Sequence, residues 1–157
     1  MVMDDEVPGA VGTSASFVLR FGQTIFSAAS LLFMSLGVEF HNYTAFCFLV
    51  TIMGLVIPWS ITLALIDIYS VLIRCPIRHP GILLFIVFGD WALSFLTLAA
   101  ASSIAGIIDV LQRADETFCA AGLCSRYQIS AGLAFLSWFL SMASSLSNLW
   151  FLSSLTR

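Results

Sequence analysis

Three ionisable residues stand inside long apolar runs of this chain: Arg20 in SFVLRFGQTIF, Asp67 in LALIDIY and Asp90 in IVFGDWAL. One base and two acids in such surroundings can serve as a proton or cation path, because buried ionisable groups often mark one. They can also neutralise one another and fix how helices pair. A relay needs titratable groups across the whole apolar thickness, and none continues beyond these three. Asp109 stands near the end of its run, and His41 and His79 fall in connectors at opposite faces. The charges are therefore read as a structural core cluster. An ion path through Asp67 and Asp90 is the alternative, and a lone Arg20 reaching to the nearest interface is a third reading.

No other residues assemble a catalytic constellation. There is no nucleophile–base–acid set, no HExxH, no CxxC and no glycine-rich phosphate loop, so no catalytic residue, metal ligand or cofactor is assigned. The chain is expected not to be an enzyme, and no small-molecule substrate is identified. With only six basic residues, all arginine and scattered, it shows no patch for nucleic acid.

The elements that must position these charges are membrane helices. Hydrophobic residues make up 60% of the 157 and charged residues 10%, with a mean hydropathy of +1.02. Soluble domains carry about 25% charged residues, so this chain has too little polar surface to face water and its partner is the lipid bilayer. Four apolar runs are long enough to cross it, near 16–38, 44–73, 81–111 and 129–152. They form one membrane domain with short tails at 1–15 and 153–157. The acidic start, MVMDDEVPGA, lacks a basic region of signal-peptide type, so the first run is expected to be retained. Arg74, Arg78 and Arg157 against Arg113 and Arg126 place both tails in the cytoplasm by the positive-inside rule.

Helical periodicity then gathers the polar residues. At about 1.5 Å per residue, Arg20, Asp67 and Asp90 all lie in the inner half of the bilayer. Arg20, Gln23, Thr24 and Ser27 share one face of the first span, as do Asp90, Ser94, Thr97 and Ala101 in the third. The second span offers Ser60, Ala64 and Asp67. In the fourth, Ser130, Ala134, Ser137, Ser141, Ser144 and Asn148 form a heptad-type seam of small residues suited to close packing. The fold class is an all-α integral membrane protein, a left-handed four-helix bundle. Depth alone favours Asp67 as the partner of Arg20.

Smaller signals are weighed the same way. Cys119 and Cys124 are a pair in the polar loop FCAAGLC; they read as a disulfide in an oxidising compartment or as two thiols. Cys47 reads as apolar filler, and Cys75 as packing rather than palmitoylation. Asn42-Tyr43-Thr44 fits a glycosylation pattern but abuts the membrane. Pro58 predicts a kink, and Trp91, Trp138 and Trp150 are expected to face lipid or a partner.

Several phrases together carry a resemblance: LRFGQTIFSAAS, NYTAFCFLV, LIDIY, GDWALSFLTLAAA and CSRYQISAGLAFLSWFLS. With them, the chain resembles the Casparian strip membrane protein-like family of plants, and its fifth subgroup in particular. The resemblance implies a fold similar to the MARVEL four-helix bundle, a plasma-membrane location, and homo-oligomers and hetero-oligomers with family members. It carries the family's intramembrane pair onto Arg20 and Asp90, and its paired loop cysteines onto Cys119 and Cys124. It further implies a scaffold that organises a membrane or wall domain. The first connector, EFHNY, is shorter than that of the barrier-forming members, which puts a direct barrier role in doubt.

Overall fold

A computed structural model describes residues 13–36, 44–73, 79–114 and 122–155. They form four helices: α1 (Ser14–Ser35), α2 (Thr44–Ile73), α3 (Pro80–Ala114) and α4 (Leu123–Leu155). All four are long and apolar enough to cross a membrane. The shortest, α1, has 22 residues and so spans about 33 Å, enough for the hydrocarbon core.

Local chemistry sets two of the ends. Thr13 caps α1, its hydroxyl accepting from the Ser16 amide at 3.2 Å, which satisfies one of the donors a helix start leaves open. Gly122 precedes α4 at φ +72°, a left-handed conformation that L side chains rarely adopt. The fourth helix begins at Leu123, earlier than the 129 read from hydropathy. Its first turns carry Ser125, Arg126 and Gln128, which lower the hydropathy of the segment. Tyr127 holds it in place by packing on Phe46 of α2, with ring centroids 4.7 Å apart. The first helix ends at Ser35, and residues 37–38 of the run expected there lie outside the described residues. The second helix runs on through Pro58.

The burial pattern is that of a membrane bundle. Buried positions on α1 are Ser16, Arg20, Gln23, Ser27, Ser30 and Met34, spaced alternately by four and three, while Val18, Phe21, Ile25 and Leu32 face out. Phe88, Phe139 and Trp150 are likewise among the most exposed residues. In water this polar-in, apolar-out arrangement would leave a surface no soluble monomer tolerates; in lipid it is the low-energy choice. The chain is therefore a four-helix membrane bundle.

Helix α1 packs on α2 and α4, α4 on α3, and α2 and α3 meet over a smaller contact. One end of the bundle holds the start of α1, the end of α2, the start of α3 and the end of α4; the other holds Cys124. Near the Cys124 end, α2 and α3 enclose the larger apolar core, with Phe46, Leu49, Met53, Val56, Ala100 and Ile104 at its centre. Near the termini a smaller cluster of Leu63, Leu83 and Ile86 takes its place, flanked by Trp59 and Phe151.

The intramembrane charge cluster

Arg20 is fully buried, and its guanidinium forks onto Asp90 across the bundle. Nη1 donates to Oδ1 at 3.2 Å and Nη2 to Oδ2 at 2.8 Å. Two parallel charge-assisted bonds of this kind hold orientation as well as charge, which a lysine could not do. Its Nε lies 3.5 Å from Oδ2 of Asp67, close enough for ion pairing but without a hydrogen bond. That same Oδ2 accepts from the Ser16 hydroxyl at 2.8 Å.

Asp90 also accepts from two further helices. Trp59 of α2 donates its ring N–H to Oδ1 at 2.9 Å, and Asn148 of α4 places Nδ2 3.5 Å from Oδ2. One carboxylate thus ties α1, α2, α3 and α4 together at a single level. The register of the tryptophan depends on its neighbour in space. A Cβ on Gly89 would overlap the Trp59 ring, so only glycine lets the indole lie against α3 and reach the next residue's carboxylate.

Beyond this level the α1–α4 interface continues as hydroxyls. Ser27 and Ser137 share a hydrogen bond at 2.7 Å. Ser30 and Ser130 are reciprocal: each hydroxyl donates to the other's carbonyl, at 2.9 and 2.8 Å, and the two oxygens lie 3.1 Å apart. Ala134, fully buried between the serine pairs, lets the backbones approach closely. Ser141, Ser144 and Asn148 complete the buried line on α4. The Ser60, Ser94 and Ser144 hydroxyls are buried without a protein partner.

The remaining residues singled out by sequence fall apart from the cluster. Cys124 is buried and disulfide-bonded; Cys119, its expected partner, lies outside the described residues, as do His41, Asn42 and Cys75. Trp150 is exposed, whereas Trp91 and Trp138 are half-buried with their ring nitrogens shielded, so these two do not simply face lipid. Asp109 is exposed and pairs with Arg113 one turn on, at 3.1 Å. It borders a groove of about 340 Å³ between α3 and α4 near Cys124, with Gln112, Gln128 and Gly132, and no cluster residue lines it. Among the described residues, no group of acidic, histidine or cysteine side chains is placed to hold a metal.

Sequence reasoning missed two members of the cluster. Ser16 lies one turn before Arg20 on the same face, so extending the polar stripe backwards would have found it. Trp59 sits two turns before Asp67 on the face of α2 that meets the cluster, a relation hidden behind the attention Pro58 drew as a kink.

A polytopic four-helix membrane protein with a buried Arg–Asp pair is the class these features define. Residues 9–140 match the Casparian strip membrane protein domain. The chain is 63% identical to CASP-like protein 5C1 of Oryza sativa subsp. japonica over 146 residues, covering 93% of this chain and 94% of that one. It is 57% identical over 150 residues to CASP-like protein 5C3 of Arabidopsis thaliana, covering 96% and 98%. Against CASP-like protein 5B1 of Ginkgo biloba the identity is 47% over 145 residues, covering 92% and 81%. No solved structure matches the chain. The chain belongs to the Casparian strip membrane protein-like family of plants.

Proposed function

We propose that this protein is a non-enzymatic scaffold of the plasma membrane, self-associating and associating with family members to organise a membrane or wall domain. Both termini lie in the cytoplasm, and Arg20 with Asp90 forms a structural lock, with Asp67 as second acid. The observation that carries the reading is the saturation of Asp90 by donors from the three other helices. A carboxylate so occupied holds helices in register and offers little to a passing ion. The apolar core beside it supports the same reading, because Leu49, Met53 and Ile104 fill the route from the cluster to the Cys124 end. The disulfide at Cys124 suits an oxidising, non-cytoplasmic compartment, which supports the reading of cytoplasmic termini. The partner that closes it in this reading is Cys119.

Two measurements test the proposal. A fluorescently tagged chain in plant cells is expected at the plasma membrane, in clusters that recover slowly after photobleaching, with termini protected from external protease. Reconstituted vesicles are expected to pass no ions above empty controls. Reproducible flux abolished by Asp90→Asn would replace the scaffold by a channel or transporter.

A further inference from the structure

We propose that copies of this chain associate through one surface, the outer half of α2 in one copy seating against the outer half of α3 in another. The inference rests on the self-association reading and names its surface. It starts from Pro58, which lies inside α2 on the lipid-facing side. Proline has no N–H, so the carbonyl of Gly54, four residues earlier, loses its helical donor. Gly54 is itself exposed, and a Cβ there would meet nothing within 4 Å. A carbonyl bared in this way, facing hydrocarbon, is costly unless something donates to it, and lipid chains cannot.

The donor is present on the same molecule, one helix away. Ser102 and Ser103 are exposed on α3, and in the single chain both hydroxyls turn back onto the Ala99 carbonyl, at 3.0 and 2.8 Å. The helical amide already serves that carbonyl, so one hydroxyl can turn outward without orphaning it. The depths agree. Gly54 lies ten residues from the start of α2 at Thr44, and Ser103 eleven residues from the end of α3 at Ala114. Both positions are about 15–17 Å from the same end of the bundle.

Shape agrees with chemistry. On α2 the exposed line Thr51, Gly54, Pro58 is small, and on α3 the line Ala99, Ser103, Gly106 is small. Small faces let membrane helices approach closely enough for hydroxyl–carbonyl bonds. Leu55 and Val110 flank these small lines as exposed large side chains, and toward the termini Leu65, Leu72, Phe85 and Phe88 are bulky and exposed. Exposed positions of α1 and α4 carry Phe21, Ile25, Leu136 and Phe139 at comparable places. Acceptor and donor sit on two different helices, so each contact pairs unlike faces of the two copies.

Disulfide crosslinking between two differently tagged full-length copies, with Cys47 and Cys75 replaced by serine, tests this in native membranes. Thr51→Cys in one copy and Gly106→Cys in the other are expected to crosslink at least about tenfold more than Ile25→Cys with Gly132→Cys, an exposed pair on α1 and α4 at matched depth. Gly54→Leu, which has open space around it, is expected to lower the fraction of associated copies about tenfold while helicity and melting temperature hold. Association that persists in Gly54→Leu with no crosslink between α2 and α3 overturns the surface and leaves the scaffold reading standing. A chain that stays monomeric in native membranes overturns both. Photoreactive sterol captured on the wild-type face in place of a second copy, and lost in Gly54→Leu, also overturns the surface.

Discussion

The two halves of this bundle hold together by different physics. Near the termini, few buried apolar side chains are present, and a buried ion pair whose Asp90 accepts hydrogen bonds from three other helices fixes the geometry. Near Cys124, α2 and α3 enclose a broad apolar core while α1 and α4 meet along a line of serines. A membrane interior offers little hydrophobic drive between helices, so packing fit and polar bonds must supply specificity. The charged half is directional and intolerant of losing one partner. The packed half spreads its contribution over many contacts, each replaceable at moderate cost.

The sharpest way to break that contrast is Arg20→Met. It leaves two acids buried without their base, and is expected to cost about 3–5 kcal/mol, read as loss of folded fraction in denaturant titration in bicelles. In the packed half, Leu49→Ala removes a fully buried side chain and is expected to cost about 2–4 kcal/mol. A larger loss there than at Arg20 would reverse the comparison. Next comes Gly89→Ala, which forces the Trp59 ring away from Asp90 and is expected to cost about 1–3 kcal/mol. Tryptophan fluorescence should shift in this variant and not in Leu49→Ala. Smallest is the coupling between Ser27 and Ser137, expected at about 0.6 kcal/mol in a double-mutant cycle with alanine.

The question of which acid holds Arg20 is resolved differently by different levels of argument. Depth along ideal helices favours Asp67, since it counts residues and ignores the reach of a long side chain. The geometry gives Asp90 the two-pronged contact and leaves Asp67 beside Nε, bonded to Ser16. Asp90→Asn should accordingly destabilise more than Asp67→Asn in the same titration. The reverse order would return the main partnership to Asp67.

Much of the architecture was legible because membrane helices announce themselves by length and apolar content. On α1 the spacing of Arg20, Gln23, Thr24 and Ser27 marked one polar face, and on α4 a heptad-type spacing marked the seam from Ser130 to Asn148, because one helix alone sets each pattern. What periodicity could not show were relations between helices. Trp59 reaches Asp90 only because Gly89 leaves room, a meeting of two helices in space that neither local segment displays. The early start of α4 was hidden because its first turns stand where polar residues are cheap. Tyr127 against Phe46 marks that turn as packed structure, yet hydropathy weighs it as loop.

The placement of the two acids also bears on the order of the helices. Along the chain, Arg20 on α1 precedes both carboxylates. Asp67 stands on the next helix, beside the guanidinium; Asp90 follows on the third and takes the two-pronged contact. Trp59, on α2, and Asn148, on the last helix, complete the set. Two acids on successive helices thus give the guanidinium a neighbour of opposite charge on α2 as well as on α3.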